Sequence, residues 1–133
     1  MPEIRLFFYQ EGDQTVPVQE WLADLRQRNR RAFARCVAVI RRLQCTGHEL
    51  RRPHAAFLRD GVYELRAREG NVNYRILYFF HGQRTAILAH ALIKSARVPD
   101  ADIQCAMQRK RALEAQPQRH IYEEGTEGDQ EDA

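Results

Sequence analysis

Cationic side chains recur at short intervals between residues 61 and 99. This stretch contains three apolar runs with the turn residues of a meander between them. The first run carries Arg66 and Arg68, the second carries Arg75, and the third ends on Lys94. A small sheet that holds guanidinium and ammonium groups at fixed spacing can bind several phosphate oxygens. The pattern therefore indicates a polyanionic ligand, and RNA in particular.

These four cations differ in their expected surroundings. Alternation along the first run places Arg66 and Arg68 on its polar side, open to a ligand or to water. Arg75 and Lys94 fall among apolar neighbours, where an unpaired charge is costly. Arg75 either pairs with Glu64 on the neighbouring strand or lies at the rim of a cleft. Arg75 and Lys94 are therefore the two cations that most need a partner or a ligand.

Two further side chains could take part in chemistry. By alternation, His90 shares its side of the third run with Leu88 and Leu92. It is the only imidazole within a strand near Lys94, so it is either an acid or base or an ordinary core histidine. Tyr78 could stack on a nucleobase, although a place in the core suits it better.

Other basic residues flank the three runs. Arg51 and Arg52 lie in a loop before them, and Arg97 lies just after them. Together with Arg68 and Tyr78, these residues are the candidates for RNA binding outside the catalytic set. A basic surface that only aids solubility is the alternative.

Length and composition limit the possible classes. A chain of 133 residues suffices for one domain, and no apolar run approaches the roughly 20 residues of a membrane span. No export signal is visible, so a cytoplasmic protein without membrane contact is expected. The three cysteines (Cys36, Cys45 and Cys105) show no metal or redox spacing and are expected to be reduced, buried thiols. Neither a metal nor a cofactor is expected.

The net charge of +3 conceals an asymmetry along the chain. Residues 117–133 hold six acidic residues against one arginine, a net of −5, which leaves 20 cations and 12 anions, a net of +8, in residues 1–116. We therefore expect a basic domain over 1–116 and a disordered acidic tail over 117–133.

Periodicity and turn residues predict an α+β fold with the element order β-α-α-β-β-β-α. The predicted elements are a strand over 4–9, a helix from Pro17, a helix from the N-cap Asn29 to Gly47, a loop over 48–57, strands over 61–68, 73–80 and 86–95, and a helix from Pro99. The three consecutive strands should pair antiparallel, with one face of the sheet against the two N-terminal helices. The first strand should lie beside the last one or at an edge.

The ordered set of motifs resembles the HigB-like branch of the RelE/ParE toxin superfamily. The likeness covers roughly residues 4 to 114. It rests on the element order and on the runs Tyr63-Glu64-Leu65-Arg66, Tyr74-Arg75-Ile76-Leu77-Tyr78-Phe79-Phe80 and Lys94-Ser95, the last of which precedes Pro99 by four residues. The chain departs from that branch at Ile93, where a second lysine is common, at Ala91, where an aromatic is common, and at Arg97, which replaces a frequent lysine.

The resemblance implies the toxin of a type II toxin–antitoxin pair. Many members enter the ribosomal A site and cut mRNA there without a metal ion. By similarity, the basic catalytic positions carry over onto Arg66, Arg75 and Lys94. The implied partner is a small helix-turn-helix antitoxin, through which alone the toxin would contact operator DNA.

The implied chemistry is attack of a 2′-OH on the adjacent phosphate. It requires a base, a cation for the charge on the phosphate oxygens and an acid for the leaving oxygen. We expect Arg75 to clamp the phosphate, Lys94 to act as a second clamp or proton carrier, Arg66 to steer the backbone, and His90 to be a possible acid or base. Two alternatives remain open: a ParE-like gyrase inhibitor, and an inactive module that only binds RNA or an antitoxin.

Overall fold

The computed structural model describes residues 4–94 and 96–123 of the chain. The class is α+β, as predicted. The elements in chain order are β1 (Arg5–Tyr9), α1 (Pro17–Arg28), α2 (Arg30–Thr46), a 3-10 helix (Gly47–Glu49), β2 (Ala55–Arg59), β3 (Val62–Glu69), β4 (Val72–Phe80), β5 (Thr85–Ile93), α3 (Asp100–Ala115), α4 (Pro117–His120) and β6 (Ile121–Tyr122).

One six-stranded sheet runs in the order β2-β3-β4-β5-β1-β6. The predicted antiparallel meander is present as β3, β4 and β5. β1 lies beside β5, which is the first of the two positions predicted for it, and it pairs with β5 in parallel. A parallel pair needs a long crossover, and the chain between β1 and β5 provides it with two helices and three strands.

The strand β2 was missed by the sequence prediction, which placed a loop over 48–57. Pro53 and His54 directly precede this five-residue strand, and the proline favoured a loop in the sequence prediction. The dipeptide Asp60-Gly61, whose glycine was predicted to begin the strand over 61–68, is the turn between β2 and β3. Both residues have positive φ, 52° and 82°, as a tight hairpin turn requires. β2 therefore adds an edge strand to β3.

The packed part of the chain extends beyond the expected boundary at residue 116. Pro117–His120 form α4, and Ile121–Tyr122 pair with β1 as the far edge of the sheet. The His120 ring stacks on Tyr9 at 5.2 Å, and the backbone N–H of Gln10 donates to the carbonyl of His120. Of the predicted acidic tail, residues 124–133 lie outside the described residues.

The sheet has a core on each face. α1 and α2 cover one face, as predicted, and α3 covers the other. Local signals fix the ends of α2: the Asn29 side chain accepts from the Ala32 N–H at 3.1 Å, and the helix stops at Gly47, whose φ is 64°. The sheet is therefore buried between helices on both faces.

A β-bulge in β5 changes which residues share a face. Leu77 is opposite His90 while Tyr78 is opposite Leu88, so Ala89 is an extra residue in the strand. The bulge turns His90 to the α3 face, opposite to Leu88. The prediction that His90 and Leu88 share a side was therefore wrong, because strict alternation does not survive an inserted residue.

The three cysteines are free thiols, and they differ in burial. Cys36 is fully buried in the core, and burial raises the pKa of its thiol to about 12. Cys45 is exposed, which corrects the expectation that all three are buried. No helix in the described part of the chain is both long and apolar enough to cross a membrane.

Candidate nucleic-acid interface

A cleft of about 790 Å³ opens on the α3 side of the sheet, beside its β2 edge. Its walls come from β2, β3, β4, the segment 96–99 and the first turn of α3. We call it the arginine cleft, after its charged lining residues Arg52, Arg59, Arg66, Arg75, Arg97, Glu64 and Asp100. Five guanidiniums against two carboxylates leave an excess of positive charge, and a concave site concentrates that field.

A buried carboxylate forms the floor of the arginine cleft. Glu64 is 2% exposed and Arg75 is 6% exposed. Glu64 Oε1 accepts from Arg75 Nη1 at 2.6 Å, while Oε2 accepts from Arg66 Nε at 3.0 Å and Nη2 at 2.9 Å. Two guanidiniums therefore hold one carboxylate, and the cross-strand pair between Arg75 and Glu64 is the arrangement present.

The remaining bonds of Arg75 go to the chain that follows β5. Nε donates to the carbonyl of Lys94 at 3.1 Å, and Nη2 donates to the carbonyl of Ala96 at 2.8 Å. All three nitrogens of Arg75 thus have protein acceptors. The Arg75 side chain therefore joins β3, β4 and the segment after β5, and it holds Glu64 and this segment in place.

Arg66 has the opposite character. Its side chain is 33% exposed, and Nε and Nη2 are both directed to Glu64. A guanidinium has five N–H donors, so the two on Nη1 are available to a ligand in the cleft. Since Glu64 fixes the plane of the group, Arg66 offers a pre-oriented cation to an anion.

The other basic candidates lie around this centre. Arg52 and Arg97 are exposed and line the arginine cleft. Arg68 is exposed, and its Nε donates to the carbonyl of Gly70. Arg51 is exposed and lies outside the cleft lining, where it donates to the carbonyl of His48 at 2.8 Å.

Lys94 does not have the apolar surroundings expected from the sequence. Its side chain is exposed, since the strand β5 ends at Ile93 and the chain leaves the core there. The Lys94 N–H donates to the carbonyl of Asn73, which continues the register of β4 and β5. Lys94 is not among the residues that line the arginine cleft. Ser95, the other residue of the quoted pair, lies outside the described residues.

His90 and Tyr78 make contacts within the protein and do not line the arginine cleft. His90 Nε2 lies 2.6 Å from Asp102 Oδ1, and Arg109 Nη1 lies 3.5 Å from the other ring nitrogen. These contacts join β5 to α3 and stand outside the cleft lining. Tyr78 is 1% exposed, and burial raises the pKa of its hydroxyl. It packs on the Tyr63 ring, in the core position that the sequence favoured.

Two charged residues of the cleft, Arg59 and Asp100, were missed from the sequence. Arg59 ends β2, and its Nη1 lies 2.5 Å from Asp100 Oδ1 in the first turn of α3. This pair joins the β2 wall of the cleft to the α3 wall. The signal that could have revealed it was the Asp60-Gly61 turn, which marks the end of a preceding strand.

The comparisons with known proteins gave a family. The family model described as Phage derived protein Gp49-like (DUF891) matches residues 20–111, which is more than half of the chain. The chain belongs to the Gp49-like family. This family is associated with RelE-like toxins, and a toxin-like family implies an antitoxin partner in general. The search of curated proteins gave no match.

The Gp49-like match contains the whole arginine cleft. It begins within α1 and ends within α3, so it includes the cleft residues from Arg52 to Ile103. β1, α4 and β6 lie outside the match. The part of the chain that defines the family is therefore the part that builds the candidate interface.

Proposed function

We propose that the chain is the toxin of a type II toxin–antitoxin pair and that it cleaves mRNA on the ribosome, as a member of the HigB-like branch. The observation that carries this proposal is the arginine cleft, in which the buried Glu64 holds Arg66 through Nε and Nη2 and leaves both N–H groups of Nη1 free. A fixed guanidinium in a basic cleft suits a phosphodiester in which negative charge develops during reaction.

In the proposed reaction, the 2′-oxygen attacks the adjacent phosphorus and the 5′-oxygen leaves. The products are a 2′,3′-cyclic phosphate and a 5′-hydroxyl, with the proton of the 2′-OH lost and one gained by the leaving oxygen. Arg66 is the clamp on the reacting phosphate, because Glu64 fixes its plane and leaves Nη1 free to donate to a phosphate in the cleft. Arg52 and Arg97 neutralise the flanking phosphates.

Arg75 takes a different role from the clamp that the sequence suggested. It holds Glu64, and Glu64 holds Arg66, so Arg75 acts on the phosphate only through two intermediates. It also fixes the backbone of Lys94 through its carbonyl. We therefore assign Arg75 as a positioning residue, and Arg66 and Lys94 as the cations that contact RNA.

Replacing Lys94 by alanine is expected to lower mRNA cleavage by about 100-fold, the effect of removing one cation that contacts the phosphate in the transition state. Because the side chain is exposed, the free energy of unfolding should stay within about 0.5 kcal/mol of wild type. The second lysine of the chain is the matched control: Lys110 pairs with Glu114 on α3, at 2.9 Å, and Lys110→Ala should cut normally. Equal cleavage by both alanine variants would remove Lys94 from the site.

The test of the proposed function is translation in a reconstituted system, with mRNA ends mapped by primer extension. Wild type should produce new 5′ ends within the reading frame, only on mRNA engaged by ribosomes. Intact mRNA would reject the nuclease function. A supercoiling assay with purified gyrase separates the ParE-like alternative, which would spare mRNA and inhibit gyrase, from an inactive binding module, which would do neither.

The partner is proposed to be a small helix-turn-helix antitoxin, which also provides the contact with operator DNA. A ribosomal target places the reaction in the cytoplasm. The chemistry assigned above uses side chains alone, and among residues 4–94 and 96–123 no group of three or more histidine, cysteine or acidic residues could hold a metal ion.

A further inference from the structure

A second basic cleft lies on the other side of the sheet edge. Its volume is about 460 Å³, and it is formed by α2, the loop before β2 and the end of β3. We call it the helix-side cleft, and its polar lining residues are Arg35, Arg42, His54, Arg66, Arg68 and Asn73. Four of these six are arginines. Glu69 lies beside them and accepts from Arg35 at 3.2 Å, which offsets part of the charge.

The two clefts adjoin at Arg66, which lines both. The reason is the length of the edge strand: β2 begins at Ala55, opposite Leu65, so it covers only the first part of β3. Beyond that point the Arg66 N–H donates to the carbonyl of His54, and the edge of β3 is open. The loop before β2 follows the same path, since Arg52 lines the first cleft and His54 the second.

We infer that the two clefts form one continuous binding track for a single-stranded RNA that bends around the β3 edge. This inference rests on the proposed function and adds a second phosphate subsite, made by Arg42, Arg68 and Arg35, to the reacting centre at Arg66. Arg42 contributes from α2 and Arg68 from β3, so two separate elements converge on the subsite.

The ligand is expected to be single-stranded because a duplex is too stiff to follow this path. The arginine cleft faces α3 and the helix-side cleft faces α2, so a ligand that occupies both must turn around the edge of one sheet. Double-stranded DNA has a persistence length of about 150 base pairs, and a short RNA duplex likewise resists so sharp a turn. A single strand bends freely and presents successive phosphates to both clefts.

Two neighbouring arginines of α2 provide a matched pair for the test. Arg42 and Arg41 are both exposed on the same helix turn and carry the same charge. Arg42 lines the helix-side cleft, whereas Arg41 lines a groove between α1 and α2. Any difference between Arg42→Gln and Arg41→Gln therefore reports position and not net charge.

The experiment measures binding of the full chain to 2′-O-methyl oligouridylates by fluorescence anisotropy, at several salt concentrations. The modification blocks attack by the 2′-oxygen, so binding is measured without cleavage. Arg42→Gln and Arg68→Gln should each weaken a ten-nucleotide strand by about five-fold, the scale of one exposed charge pair. The slope of log K against log salt should fall by about 0.7 for each lost phosphate contact. A three-nucleotide strand, which fills only one cleft, should be unaffected.

The inference is overturned if Arg41→Gln weakens the ten-nucleotide strand as much as Arg42→Gln does. It is also overturned if a ten-base-pair duplex binds as tightly as the single strand, or if the three-nucleotide strand loses as much affinity as the longer one. Failure of the proposed function has a separate signature. If the wild-type chain shows this binding pattern but leaves ribosome-bound mRNA intact, the RNA-binding track is supported and the nuclease function is rejected.

Discussion

Replacing Arg75 by alanine is expected to lower the free energy of unfolding by about 3 kcal/mol, the lower end of the range for breaking a buried ion pair. The change leaves Glu64 Oε1 buried without its donor at 2.6 Å. Arg66 cannot replace that donor, because its two bonds go to the other carboxylate oxygen. Equilibrium unfolding in urea, followed by circular dichroism, measures the loss.

Arg68→Ala is the control for the Arg75 variant. Arg68 lies on the neighbouring strand, is exposed and donates to a backbone carbonyl, so its removal should cost at most about 1 kcal/mol. A second variant tests the cause. The double replacement Arg75→Met with Glu64→Leu removes both buried charges and should recover most of the stability lost in Arg75→Ala. If the double variant is no more stable than the single one, an orphaned carboxylate is not the reason for the loss.

The pair between Arg75 and Glu64 shows which side-chain contacts could be predicted from the sequence. Its position among apolar residues indicated that the charge needed a partner, and Glu64 on the adjacent strand was the available acid. Alternation and cross-strand pairing are local rules, so this pair could be read from two strands joined by a short turn. The cap at Asn29 and the elements β1, α1, α2, β3, β4, β5 and α3 were predictable for the same reason, whereas β2, α4 and β6 were not.

The rest depended on contacts that no local rule describes. The bulge at Ala89 inserts one residue into β5, and it turned His90 from the expected face to the α3 face. The arginine cleft brings together β2, β3 and the first turn of α3, and the pair between Arg59 and Asp100 joins β2 to α3. Such convergence depends on how helices pack on a sheet, which periodicity leaves open.

The same limit explains why the phosphate clamp was predicted at Arg75 and is now proposed at Arg66. Sequence placed Arg66 on an open polar face, where a cation needs no explanation. In the structure that face is partly closed, because Glu64 is buried there and binds Arg66 with two hydrogen bonds. The orientation of Arg66 therefore comes from its contact with Glu64, which alternation along the strand did not predict.

Arg66→Ala is therefore expected to lower mRNA cleavage by about 100- to 1,000-fold while the fold is retained. Loss of one preorganised donor to a developing anion has this magnitude. Glu64 keeps Arg75 as a partner, and the side chain removed is one-third exposed, so the free energy of unfolding should fall by only about 1 kcal/mol. Single-turnover cleavage of ribosome-bound mRNA at saturating toxin measures the chemical step.

Two companion variants separate orientation from charge. Arg66→Lys keeps the charge and loses the planar fork that meets both Glu64 and a phosphate, so it should stay at least about ten-fold below wild type. Arg68→Ala, two residues along the same strand face, should weaken binding and leave the rate at saturation unchanged. If Arg66→Lys cleaves at the wild-type rate, charge alone is sufficient and the geometry held by Glu64 is not required. If Arg66→Ala and Arg68→Ala behave alike, the reacting phosphate does not lie at Arg66. The Arg75 and Arg66 variants thus remove the donors to the two oxygens of the Glu64 carboxylate. The assignment requires that Arg75→Ala mainly lowers the free energy of unfolding and that Arg66→Ala mainly lowers the rate of cleavage.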